Sequence, residues 1–185
     1  MLNFIFKHLR YISLFCVIAV MATIFLLSAQ SAQDSSELSG EFVEIIIKIF
    51  VPNYNNLSVS EQQEIQEKIS FVVRKTAHFT EFTFLGFFLM LYSITIGNIL
   101  EQTKFKIFIR FVFCWLFGTF YAVTDEIHQS FVSGRYSSIN DVYIDSSGVL
   151  CGMFLLIILF LLFLKKLIYK IKNPETVKFP SFFII

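Results

Sequence analysis

Charge is scarce in this chain. Only 16% of its 185 residues are Asp, Glu, Lys or Arg, against 56% hydrophobic and 18% aromatic. A soluble domain carries about 25% charged residues, so the composition points to an integral membrane protein. Cysteine is also sparse: Cys16, Cys114 and Cys151 all lie inside apolar runs with no CxxC or metal-type spacing, which makes them small core residues. Tryptophan occurs once beside 25 phenylalanines, a balance suited to lipid-facing helix surfaces. No period repeats along the chain, and no nucleic-acid module, phosphate-binding glycine loop or GxSxG elbow is present. These absences leave no marked nucleophile, no expected metal or cofactor, and no nucleic-acid partner.

What is present is a succession of apolar runs. A basic start, 1–10 with Lys7, His8 and Arg10, precedes an uncharged run over 11–29. About 20 apolar residues at 1.5 Å each span the ~30 Å hydrocarbon core, so this is the first span. The small residues Ser28, Ala29, Ser31 and Ala32 also suit a cleaved leader, but the run exceeds the ~7–15 residues of a leader core.

Residues 30–40 are rich in Ser, Gln, Asp and Glu and predict a solvated linker, with Ser39 a cap before a short amphipathic helix at 41–50. Glu41, Glu44 and Lys48 fall on one face of that helix, so it lies on the membrane or covers the bundle. After the break at Pro52, Ser60 with Gln63 predicts a capping box opening a polar helix that runs into the second span, 75–97, closed by Gly97-Asn98. A basic loop at 98–106 leads to a third span, 107–124. A polar loop, 125–140, leads to a fourth, 141–164, and 165–185 forms a tail beginning at Lys165 and Lys166.

With four spans the termini share a side. The inner segments then hold Lys7, Arg10, Lys104, Lys106, Arg110, Lys165, Lys166, Lys170, Lys172 and Lys178 against Glu101 and Glu175. The five remaining bases face twelve acids on the outer side, so the positive-inside rule predicts cytoplasmic termini. The expected fold is an all-α bundle of four transmembrane helices with an extracellular helical segment between the first and second.

The polar residues gather on the outer side of that scheme. The stretch 121–152, YAVTDEIHQSFVSGRYSSINDVYIDSSGVLCG, sets Asp125, Glu126, His128, Gln129, Arg135, Asp141 and Asp145 between apolar runs. A charge at a span's centre costs roughly 2.5–3.5 kcal/mol, so such groups need partners. At about 100° per residue, Asp125, His128 and Gln129 share one side of a helix. Asp141, Asp145, Gly148 and Gly152 form a stripe, whose glycines permit close helix packing. Upstream, Arg74, Lys75, His78 and Glu81 stand at the start of the second span. The three groups are expected to meet.

Several chemistries suit that meeting. Pairing of Arg74, Arg135, His78 and His128 with Glu81, Asp125, Asp141 and Asp145 would lock the helix ends together. Two histidines with carboxylates suit zinc or manganese in residue type, though not in spacing. The turn Ser133-Gly134-Arg135 would present a guanidinium to an anionic envelope molecule. Acid–base work on a lipid-linked substrate by His78 or His128 is the catalytic alternative.

Four blocks carry a family resemblance: SAQS ending the first span, RKTAHFTEF with Leu85-Gly86, DEIHQSFVSGR, and NDVYIDSSGVLCG. In order and spacing, 20–160 resembles the VanZ family of bacterial membrane proteins. The resemblance implies a multi-pass plasma-membrane protein whose relatives reduce susceptibility to teicoplanin-type lipoglycopeptides without remodelling the D-Ala-D-Ala terminus of peptidoglycan precursors. It assigns the recurrent polar positions to Lys75, His78, Glu81, Asp125, Glu126, His128, Gln129, Arg135, Asp141 and Asp145. At Ser133 the chain departs from the family, where proline often precedes the glycine-arginine pair. The expected activity is binding of an envelope lipid, a peptidoglycan precursor or the lipoglycopeptide at the outward polar site. A membrane enzyme acting on a lipid-linked envelope substrate is the alternative.

Overall fold

A computed structural model describes residues 2–96 and 103–172. Five helices account for almost all of them: α1 (Leu2–Ser28), α2 (Ala32–Phe50), α3 (Val59–Thr95), α4 (Lys104–Gln129) and α5 (Ile139–Lys172), with a 3-10 turn at Tyr54–Asn56. No strand occurs among the described residues. Four helices, α1, α3, α4 and α5, are long and apolar enough to cross a membrane. Their outward faces carry large apolar side chains such as Phe15, Ile18, Phe113, Phe120 and Phe163, all exposed, as lipid contact requires and water would penalise.

The central pair is α3 and α5, which make the most extensive packing in the molecule, with α1 and α4 alongside. Small residues make this possible. A Cβ on Gly148 would lie 2.6 Å from the Phe79 carbonyl oxygen, and one on Gly152 would overlap the Thr83 carbonyl. In return, a Cβ on Gly86 would overlap the Val149 carbonyl. Near-backbone contact of this kind drives helix association where no hydrophobic effect operates between helices. Around it, Ile24, Phe82, Leu85, Ala122, Val149 and Met153 are fully buried.

Hydrogen bonds tie the flanking helices to the pair. Thr119 and the Trp115 indole both reach Ser146 of α5, at 2.7 and 3.0 Å, and Tyr121 donates to the Met21 carbonyl of α1 at 2.6 Å. At one end, Arg10 donates to the Thr95 carbonyl at 2.6 Å, and Arg110 to the Ser93 carbonyl at 2.5 Å. The last carbonyls of α3, which have no partner within the helix, are thereby satisfied by neighbouring cations. The polar cluster occupies the other end.

Several element boundaries differ from the sequence expectation. The stretch predicted as a solvated linker is helical from Ala32, because Ser31 caps α2 by accepting from the Asp34 amide at 3.2 Å. Ser39 is no cap; it lies mid-helix and donates to the Ser35 carbonyl at 2.9 Å. The capping box of α3 is Ser58 with Glu61 rather than Ser60 with Gln63. The helix of the third span, α4, starts at Lys104 and continues to Gln129, so the DEIHQ segment placed in the 125–140 loop is the last turn of α4. The last helix begins at Ile139, two residues before Asp141, and runs to Lys172, so Lys165 and Lys166 continue the helix where a tail from 165 was expected. Gly97-Asn98, Glu101 and the tail 173–185 lie outside the described residues.

α3 has 37 residues, about 55 Å at 1.5 Å each, nearly twice the ~30 Å of hydrocarbon. Its first turns therefore project beyond the span. There α2 packs on it through buried Val43 and Ile47, while Glu41, Glu44 and Lys48 stay exposed.

Candidate functional site

Each polar side chain of the cluster arrives on a helix end or a turn. α3 contributes Arg74, Lys75, His78 and Glu81, and α4 contributes Asp125, Glu126 and Gln129 from its final turns. α5 contributes Asp141 and Asp145 from its first turns, and the intervening turn contributes Arg135. Gly134 has φ 75°, the left-handed conformation that glycine adopts without steric cost. That turn is pinned from outside, since the Ala32 amide donates to the Ser133 carbonyl at 3.2 Å. The contact holds a turn that carries Ser133, not proline, before its glycine.

Asp125 and its neighbours form the best-connected corner. Its Oδ2 accepts from Ser28 Oγ at 2.8 Å and from Gln129 Nε2 at 2.9 Å, and Gln129 also reaches Ser28 Oγ at 3.3 Å. Glu126 Oε2 accepts from the Ser138 amide at 2.8 Å, holding the start of α5 against α4. Lys75 forms an ion pair with Asp141. Glu81 Oε2 lies 3.9 Å from His78 Nδ1.

The wider salt-bridge lock does not form. Arg135 donates to the Leu27 carbonyl at 3.2 Å instead of to a carboxylate. Burial, and after it the Arg74 guanidinium, hold the Arg135 pKa below its ordinary value, while Asp125, Glu126 and Glu81 favour its charge. An arginine stays protonated under such conditions. His128 turns away from the carboxylates and stacks on Phe25, ring centroids 4.5 Å apart.

The result is a cluster with many unused polar atoms. His78 Nδ1, Glu81 Oε2, Asp125 Oδ1, His128 Nδ1, Arg135 Nε and both carboxylate oxygens of Asp145 are buried without a hydrogen-bond partner. Buried polar groups are nearly always paired, and an unpaired one costs about 1–3 kcal/mol, so a concentration of them marks a place built for something other than stability.

Two cavities adjoin the cluster and share His78 as a wall. One, of about 180 Å³, is lined by Leu27, Leu38, Phe42, Val73 and Ala77, with Arg74, His78, Glu81 and Arg135 as its charged lining. The other, of about 10 Å³, is lined by Lys75, His78, Glu126, Gln129, Asp141 and Asp145. The first mixes apolar residues with two guanidinium groups, the Glu81 carboxyl and the neutral Gln30, Ser35 and Ser39; the second is wholly polar but for Ile144.

Ser28 is the site residue that sequence reasoning missed. A serine closing an apolar run has no periodic signature, and its hydroxyl matters only because the end of α1 lands on Asp125.

Four apolar spans, small-residue packing and a buried polar cluster at one end define a multi-pass helical membrane protein. The VanZ/LLP1 family profile matches residues 13–162. The chain belongs to the VanZ family. No curated protein and no solved structure matches it.

Proposed function

We propose that the clustered end faces outward from a bacterial plasma membrane, with both termini cytoplasmic, and that its larger cavity takes the charged end of an envelope lipid or lipid-linked peptidoglycan precursor. On this reading the occupied site reduces the action of teicoplanin-type lipoglycopeptides. The observation that carries it is the lining of the 180 Å³ cavity, where apolar residues of α1, α2 and α3 meet Arg74 and Arg135, two guanidinium groups against the single carboxyl of Glu81. An amphiphile with an anionic head has both halves of its chemistry matched there. Small-molecule pockets run about 300–1,000 Å³, so this cavity admits a headgroup or a short stretch of chain while the remainder stays in lipid. The sorting of Lys and Arg to the opposite side supports the orientation.

The test is expression of the wild type and of His78→Ala, Glu81→Gln, Asp125→Asn and Arg135→Ala in a susceptible bacterium, with teicoplanin susceptibility and membrane abundance measured together. Loss of protection at normal abundance is expected. Equal loss of both would reduce the cluster to a structural role. Enzymatic action on a lipid-linked substrate is the second reading, favoured by the unpartnered His78 and Asp145. Product formation by purified membranes separates it from binding.

A further inference from the structure

We infer that His78, Asp125 and Asp145 hold a divalent cation of the zinc or manganese class. One ligand atom from each lies within 4.8 Å of the other two, although the three residues come from three different helices. Asp125 and Asp145 are 3% and 1% exposed, and Asp145 has no hydrogen-bond partner on either oxygen. A carboxylate so enclosed requires a counter-charge, a proton or a metal.

Size and charge agree with an ion. The cavity beside Asp145 and His78, lined also by Lys75 but not by Asp125, measures about 10 Å³, at the lower edge of the ~10–15 Å³ that one water-sized particle needs. Zinc sits about 2.0–2.2 Å from nitrogen and carboxylate ligands, which places those ligands roughly 3–3.6 Å apart. The broad side-chain torsions of Asp and His supply the final ångström. Five carboxyl groups, Glu81, Asp125, Glu126, Asp141 and Asp145, face the three permanent cations Arg74, Lys75 and Arg135. With all five ionised the excess is two negative charges, which one divalent ion or two protons would balance.

The surroundings also fit. Ser28 and Gln129 hold Asp125 by its Oδ2 and leave Oδ1 free. Glu81 stands 3.9 Å from His78 Nδ1, about 1 Å beyond the hydrogen-bond distance at which an outer carboxylate orients a ligating imidazole. The residue types suit zinc or manganese already in the sequence, but ligands spaced by 47 and 20 positions form no metal-binding pattern there. Because His78 also walls the larger cavity, the ion would add positive charge beside the headgroup position, yet the site stands whatever that cavity binds.

The experiment uses the full chain in detergent, stripped with EDTA and dialysed against Zn²⁺ or Mn²⁺, with bound metal counted by mass spectrometry and thermal melting followed. Wild type is expected to retain about one ion per chain and to melt higher when loaded. Asp145→Asn and His78→Ala should weaken retention at least tenfold, since loss of even an outer-shell partner costs about 10–100-fold, while Glu37→Gln at an exposed position of α2 should not. Stripped Asp145→Asn should melt no lower than stripped wild type, since an unpaired carboxylate has been removed. If a variant fails to fold, metal-dependent melting of the wild type decides. No retention with melting indifferent to metal would overturn the inference in favour of protons, and unchanged retention in both variants would place the metal elsewhere.

Discussion

Ser28, the last residue of α1, donates a hydrogen bond of 2.8 Å to Asp125 Oδ2 across 97 positions of sequence. Both side chains are buried, and Gln129 closes the triangle. The end of the first helix is thus part of the cluster, and α1 does more than anchor the chain.

Ser28→Ala removes one of the two donors to Asp125 and leaves the carboxylate under-satisfied. Stability should fall by about 1 kcal/mol, in the range for buried interhelical bonds in membranes and for lost buried donors. Gln129→Ala should show non-additive coupling to it. Unfolding in mixed detergent measures both; strict additivity would mean that the triangle is not a unit.

Glycine substitutions should sort by position. Gly152→Ala drives a methyl group into the Thr83 carbonyl and Gly86→Ala one into the Val149 carbonyl, so each should cost about 1–3 kcal/mol through overpacking. Gly40 lies inside α2 with nothing within 4 Å of an added Cβ, and Gly40→Ala should stabilise by about 0.5–1 kcal/mol. Melting temperatures of the three variants check the ranking. Equal tolerance at all three positions would contradict the close approach of α3 and α5.

The Lys75–Asp141 pair joins α3 to α5, with side chains 26% and 14% exposed. A double-mutant cycle with Lys75→Met and Asp141→Asn should give a coupling of about 1 kcal/mol, inside the usual span for contacting residues. A coupling near zero would show that solvent screens the pair.

At the far end of α3, Ser58 donates to Glu61 at 2.6 Å and the Ser58 amide does so at 2.9 Å. These bonds hold the Glu61 carboxyl below its ordinary pKa of 4.5. A carboxyl with a lowered folded-state pKa stabilises above its unfolded value and loses that contribution as pH falls through the folded one. Glu61→Gln should therefore speed hydrogen exchange at the start of α3 at pH 7. The difference from wild type should shrink well below pH 4.5. A pH-independent difference would assign the effect to geometry rather than charge.

How much of this was legible in the sequence depends on the kind of signal. The spacing of four between Asp125 and Gln129 placed them on one side, and they are bonded. The same wheel put His128 with them, yet neighbouring Phe25 offers a stacking face and takes it away. The glycine stripe of α5 was visible because two glycines repeat at four. Gly86 and Gly118 stand singly in their helices, and only the fold shows that both press on Val149. Charge counts suggested pairing of bases with acids. Arg135 instead serves the Leu27 carbonyl, since the end of a helix offers unsatisfied acceptors that no composition reveals. The start of α2 was hidden because Ser, Gln and Asp read equally as linker and as the solvated face of a helix.

α3 contains no proline and only Gly86 between Val59 and Thr95. It has no hinge. Its projecting first turns, the residues Arg74 to Glu81 and the glycine contact with α5 are parts of one continuous helix. A displacement of the projecting end is therefore carried along the helix to His78, as leverage.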